Sequence, residues 1–149
     1  MSKKHTETID SKLKTAWHVV SRMYNAEAAF HDLTISMGHF LLSIDSKEGI
    51  YGSDLAPLLG MESTSLSRIT LSLEQKKLIQ RIPDKTDKRK IKIMLTEKGK
   101  IAKDLAKNVV RNFNHLVEVK IGKERIEQFF ATMDEITALA DERNKLIKQ

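Results

Sequence analysis

The 149-residue sequence contains no cysteine, two prolines, six glycines and one tryptophan. Without thiols, disulfide frameworks, Cys-ligated zinc, iron–sulfur clusters and thiol redox sensing are excluded together. So few helix breakers leave room for long helices. No stretch approaches the ~20 apolar residues of a membrane span. The start, Met1-Ser2-Lys3-Lys4-His5, runs into polar sequence without an apolar leader, so the cytoplasm is the expected location. Walker-type glycine loops, dinucleotide fingerprints, HExxH and G-x-S-x-G elbows are also missing, so no enzyme class is indicated. The five histidines include no H-x-x-x-H pair, and neither a metal site nor a cofactor is expected.

What is present has the size and balance of one globular domain spanning 1–149, with 40% hydrophobic and 31% charged residues. The charge is unevenly placed. Between Ser63 and Lys103 stand twelve basic residues against four acidic ones, a larger surplus than the whole chain's net +6. A positive middle between near-neutral ends is the footprint of a phosphate-binding surface.

Ile9, Leu13, Trp17, Val20 and Tyr24 recur at three- and four-residue steps, which predicts a first amphipathic helix running to about Phe30. Thr34 can cap a second helix carrying Ile35, Met37, Phe40, Leu41 and Ile44, which should stop near Asp45. Ile50 and Tyr51 suit a minimal strand. A short helix follows from about Gly52 or Ser53, burying Leu55, Leu58 and Leu59; Pro57 inside it should make it begin late or bend. After Gly60, Glu62-Ser63-Thr64-Ser65 opens a further helix with Leu66, Ile69 and Leu73 on its buried stripe, completing a helix-turn-helix. The period then changes to two: Ile79 and Arg81, then Ile91, Ile93 and Leu95, alternate with polar partners and predict a β-hairpin with a cationic tip from Pro83 to Lys88. Thr96 can start a long helix burying Ile101, Leu105, Val109, Phe113 and Leu116. After a break at Ile121-Gly122 comes a last helix through Ile126, Phe129, Phe130, Met133, Ile136, Leu139 and Ala140. The fold class is mainly α with a small β-hairpin.

Asp87-Lys88-Arg89 followed by Leu95-Thr96-Glu97-Lys98-Gly99 fits the wing signature D-x-R-x-x-x-x-x-L-T-x-x-G. Leu59-Gly60-Met61, Leu66-Ser67-Arg68-Ile69, Leu73-Glu74 and Lys76-Lys77-Leu78-Ile79 lie upstream at the matching distance. In these segments the chain resembles the MarR family of winged helix-turn-helix transcriptional regulators, closely over residues 50–100 and loosely throughout. The resemblance implies a DNA-binding lobe at about 33–100 and dimerisation helices at about 8–30 and 100–147. It further implies a homodimer on a pseudo-palindromic double-stranded operator, and commonly a repressor released by a small aromatic or amphiphilic ligand. The sequence departs from the pattern at Lys77, where glycine is usual, at Leu71-Ser72, where polar or charged residues are common, and at Gly38, where a large aromatic residue is common.

Within that frame, Ser63, Thr64, Ser65, Ser67 and Arg68 supply the short polar and cationic groups that a recognition helix needs at its N-terminal end; the plainer reading makes Ser63 and Thr64 caps. Arg89 is the expected minor-groove contact, because a planar, weakly hydrated cation suits a narrow groove of concentrated negative potential. Lys85, Lys88, Lys90 and Lys92 are expected phosphate contacts or sources of long-range attraction. Asp87 is repelled by DNA and is expected to pair with Arg89 or Arg81 and so hold the wing's shape. Trp17, His18, Arg22, Gly38 and His39 are candidate ligand contacts, with dimer interface or plain surface as the bland alternative. The rival function, a winged-helix module that binds protein, has no need of so dense a basic segment.

Overall fold

Helix α2 (Ile35–Ser43) shows how the first lobe is built. Thr34 caps it, its hydroxyl accepting from the Met37 amide at 3.2 Å, while Asn25 Oδ1 accepts from the Ile35 amide at 2.9 Å and ties on the preceding helix. The helical period then gathers Phe40, Leu41 and Ile44, all fully buried, on one side. Around them the computed structural model, which describes residues 7–148, places α1 (Ile9–Ala29), β1 (Ile50–Tyr51), α3 (Gly52–Leu59), α4 (Ser63–Gln75), β2 (Ile79–Pro83), β3 (Ile91–Leu95), α5 (Glu97–Ile121) and α6 (Lys123–Ile147). Residues 1–6, where the polar start falls, and residue 149 lie outside the described residues. The chain divides into two compact units at Val109/Val110, within α5. Among the described residues no helix is long and apolar enough to cross a membrane.

In the first unit, Leu55 from α3 and Leu73 from α4 complete a fully buried set with Phe40, Leu41 and Ile44. Each such side chain contributes ~1.5–3 kcal/mol by leaving water. The antiparallel sheet runs in the order β1-β3-β2, with Ile79 opposite Leu95, Arg81 opposite Ile93 and Ile50 opposite Ile93. Because strand side chains alternate, Ile79, Ile93 and Leu95 enter the core, while Ile82 and Ile91 are exposed where the hairpin runs beyond it.

Some elements depart from the sequence-based expectation. Helix α3 starts at Gly52, one of the two expected starts, and runs through Pro57 without the late start that this proline suggested. Only one intrahelical donor is lost in so short a helix, and the Ser53 carbonyl that would have received it belongs to an exposed residue. Leu58 (61% exposed) faces water rather than the core, because Leu55 takes the inward face of this short helix. On α5, Gly99 and Ala102 are buried and Ile101 and Leu116 are exposed. Gly99 passes so close to the α4–β2 turn that an added Cβ would stand 1.8 Å from the Leu78 carbonyl oxygen, so the close face of α5 is its small-residue face.

The second unit comprises the end of α5, Gly122 at φ 92° and α6. Ile126, Met133 and Ile136 are half-buried, whereas Phe129, Phe130 and Leu139 are exposed.

Candidate nucleic-acid interface

Helix α4 follows α3 across a short turn in which Gly60, at φ 60°, supplies the left-handed helix ending. Its N-cap is Glu62, which makes no side-chain cap bond, so Ser63 and Thr64 are first-turn residues rather than caps. Ser63, Thr64, Ser65, Ser67 and Arg68 are all exposed, and the Ser67 hydroxyl donates to the Ser63 carbonyl at 2.9 Å. This end of α4 thus presents small hydroxyls, one guanidinium and a positive helix terminus.

The other end of α4 is fixed to the wing. The Leu78 amide donates back to the Leu73 carbonyl at 3.0 Å and the Lys77 amide to the Glu74 carbonyl at 2.9 Å, with Lys77 at φ 60°. This is a Schellman ending with lysine where glycine carries no Cβ penalty. Thr96 then joins α4 to α5: its hydroxyl donates to the Lys77 carbonyl at 2.7 Å and accepts from the Gly99 amide at 3.0 Å. The Leu-Thr-x-x-Gly segment therefore has a physical basis, since Leu95 fills the core, Thr96 caps α5 and Gly99 permits the close approach.

Arg81 on β2 reaches not Asp87 but Glu74 on α4, through Nη2 at 2.6 Å and Nε at 3.1 and 3.2 Å from the two carboxylate oxygens. That hydrogen-bonded pair lowers the Glu74 pKa and raises that of Arg81 from their ordinary values. Asp87 instead holds Arg89. One carboxylate oxygen accepts from the Arg89 amide and from its Nε, each at 3.1 Å, and the other lies 3.4 Å from Nη2. The Arg89 side chain is 91% exposed, and its bonds to Asp87 use Nε and Nη2 but not Nη1. The pair lowers the net charge at the wing but removes much of the side-chain entropy that Arg89 would lose on contact.

The loop of residues 84–90 turns on Asp84, which the sequence reading passed over. Its Oδ2 accepts from the Tyr51 hydroxyl at 2.7 Å, and its Oδ1 from the Thr86 amide, the Thr86 hydroxyl and the Asp87 amide at 2.9, 2.7 and 3.0 Å. The Tyr51 bond, followed by those from the Asp87 amide and Thr86, holds the Asp84 carboxyl well below the usual carboxylate range; the same bond raises the Tyr51 phenol above its ordinary value. Lys90 and Lys92 extend over the Tyr51 ring, their Nζ atoms 5.8 and 5.5 Å from its centroid. Lys85 and Lys88 are exposed. The Asx-turn spacing Asp84-x-Thr86 was a readable signal for Asp84; nothing local pointed to Tyr51, 33 residues away.

The remaining sequence candidates lie away from this wing. Trp17 faces His39 with ring centroids 6.4 Å apart, joining α1 to α2, and Trp17 is 55% exposed. His18 and Arg22 are exposed on α1, and a Cβ on Gly38 would meet that of Ala106 at an ordinary 3.9 Å. Lys103 donates to the Ile44 carbonyl at the end of α2 and is part of the fold rather than of a free basic surface.

A helix-turn-helix followed by a β-hairpin with a charged tip defines the class of winged helix-turn-helix proteins. The MarR family profile matches residues 33–91. HTH-type transcriptional regulator TtmR of Methylorubrum extorquens is 25% identical over 140 residues, 91% of this chain and 69% of TtmR. HTH-type transcriptional regulator SarZ of Staphylococcus haemolyticus is 31% identical over 80 residues, which span 54% of this chain and 54% of SarZ, so the match covers about half of that relative. The fold superposes on S. aureus MepR from a MepR–DNA complex with a TM-score of 0.81 at 22% identity, covering 89% of this chain and 98% of MepR. Over residues 33–91 the chain is similar to the MarR family, and the relatives it matches are named as HTH-type transcriptional regulators.

Proposed function

We propose that the chain binds operator DNA as a homodimer in the cytoplasm, as one MarR-like domain per copy. In each copy, the N-terminal end of α4 enters the major groove and Arg89 enters the adjoining minor groove. The observation that carries this reading is the geometry around Arg89: a side chain 91% exposed, held by Asp87 at the tip of a cationic hairpin that Arg81 and Glu74 clamp to α4. Ser63, Thr64, Ser65, Ser67 and Arg68 meet base edges and phosphates, and Lys85, Lys88 and Lys90 neutralise the backbone. A two-fold dimer calls for a pseudo-palindromic site with half-sites ~10 bp apart. Binding over a promoter represses it, and a small amphiphilic or aromatic ligand relieves that repression; Trp17, His18, Arg22, Gly38 and His39 are candidates for such contacts.

Selection from randomised duplexes, followed by gel shifts across a salt series, tests the reading. Arg89→Ala is expected to weaken the selected operator by ~1–3 kcal/mol and to flatten the salt slope by ~1. Lys107→Ala, on an exposed position of α5, should leave both unchanged. Lys103 is unsuited as that control because it anchors Ile44. No enriched duplex, or equal effects of the two variants, would overturn the proposal, and enrichment of a protein partner in place of DNA would favour the interaction-module alternative.

A further inference from the structure

One leucine of α4 takes no part in the core of its lobe. At ~100° per residue, Leu66, Ile69, Thr70 and Leu73 gather on one side of the helix. Thr70 and Leu73 are buried there, and Leu66 and Ile69 pack against the core. Leu71 falls on the opposite side and leaves 51% of its surface in water. It shares that side with Thr64, Ser67, Arg68 and Gln75, which are all exposed and lie with it inside an arc of ~100°. The outer stripe of α4 is thus polar except for Leu71 at its middle.

The stripe begins at the end of α4 that carries the hydroxyls and Arg68, and Leu71 lies ~12 Å along the axis from Ser63. The neighbouring side chains leave Leu71 free to meet a base edge. One turn before it, the Ser67 hydroxyl is committed to the Ser63 carbonyl. On the next turn, Glu74 is held by Arg81 through both carboxylate oxygens, so no bare carboxylate meets a nucleic acid beside Leu71. Of the groups that base pairs display in the major groove, the C5 methyl of thymine alone is apolar. Against a G·C pair, the same leucine would take the cytosine amino group or the guanine acceptors out of water without a partner.

We propose that Leu71 is a specificity-determining residue that packs on the C5 methyl of a thymine in each operator half-site. The contact rests on the DNA-binding reading above and deepens it. It requires α4 to lie along the major groove as far as Leu71 rather than to enter by its tip alone, and it fixes the base pair beneath Leu71 as A·T. Polar or charged side chains are common at this position in the family that the sequence resembles, so here an apolar contact replaces an ionic or hydrogen-bonded one.

Deoxyuridine lacks only the C5 methyl of thymidine and so probes this contact directly. Each thymine of a duplex enriched by selection from random sequence is replaced in turn by deoxyuridine, and the affinity of the full chain is measured by fluorescence anisotropy across a salt series. At one thymine per half-site the replacement should weaken binding about fourfold, the equivalent of one buried methyl group. Leu71→Ala should weaken the unmodified duplex by at least that factor and abolish the sensitivity to deoxyuridine at that thymine. It should keep the salt slope and Tm of the parent, since neither charge nor core changes. The inference is overturned if no thymine shows this dependence, or if the dependence survives in Leu71→Ala, which would assign it to the Thr64 methyl. It is also overturned if Leu71→Ala alters the salt slope or Tm, or if a photo-crosslinker at position 71 joins a protein chain instead of the duplex. A selection that enriches no duplex defeats the DNA-binding reading and the Leu71 contact together, whereas an enriched duplex whose methyl groups are uncoupled from Leu71 defeats the contact alone.

Discussion

Asp84 and Asp87 stand three residues apart in one loop and have separate tasks. Asp87 holds a cation, Arg89, whereas Asp84 binds uncharged donors and fastens the loop to β1 through Tyr51. The folded state lowers the Asp84 pKa, so this group stabilises the wing at pH values above the ordinary carboxylate range, and the contribution is lost as pH falls through the depressed folded value. Tyr51 behaves oppositely: its raised phenol stabilises the wing below the ordinary value of 10.0, and the effect is lost as pH rises through the raised one. Asp84→Asn should therefore speed amide exchange at Thr86 and Asp87 at neutral pH and return the alkaline absorbance titration of Tyr51 towards that of a free tyrosine. It should also weaken operator binding several-fold through looser placement of Arg89. Unchanged exchange at Thr86 and an unchanged tyrosine titration would show that the carboxylate holds nothing.

At the scale of elements, the junction of α4, the wing and α5 depends on three residues of one short segment. A methyl group added at position 99 would collide with backbone, the Leu78 carbonyl, which cannot rotate away as a side chain would. Gly99→Ala should thus cost ~1–3 kcal/mol or more by overpacking. Thr96→Val, which keeps the shape and removes one donor and one acceptor, should cost ~1–2 kcal/mol. Urea unfolding measures both, and a Gly99→Ala protein as stable as the parent would show that α5 can move freely away from α4. This junction also marks how far the sequence was legible. The helical and strand periods and the Thr34 cap were readable because each is set by contacts within a few residues, whereas the spacing of Leu95, Thr96 and Gly99 was legible only through the resemblance, since Thr96 and Gly99 act on Lys77 and Leu78 far upstream. Tyr51 with Asp84 and Asp32 with Lys76 were not, because their partners lie 33 and 44 residues apart and only the folded path brings them together. Ile101 and Leu58 were misread for a related reason: an apolar residue in helical register reports that a helix has an apolar face, not which part of it a neighbour covers.

At the scale of the whole molecule, large apolar side chains remain in water along the outer helices: Ile9, Trp17 and Val19 on α1, Leu116 and Val119 on α5, and Phe129, Phe130 and Leu139 on α6. Large apolar side chains left in water on both units call for a partner, and a second copy of the chain is the partner that the proposed two-fold operator requires. Sedimentation at micromolar concentration should therefore give twice the 17.0 kDa chain mass. Phe129→Glu combined with Phe130→Glu removes apolar area from positions that are 56% and 55% exposed within one copy. The substitutions should therefore leave the first unit's fold, read by the exchange protection of Leu73 and Ile93, unaffected while halving the mass. Operator affinity should then fall by a factor of 100 or more, because a second lobe held beside the first acts at an effective concentration that free monomers cannot match. Salt should weaken the residual binding less steeply, since about half the phosphate contacts are gone. A parent protein that sediments as a single chain, or a double variant that stays dimeric and binds normally, would show that these faces are not where two copies meet.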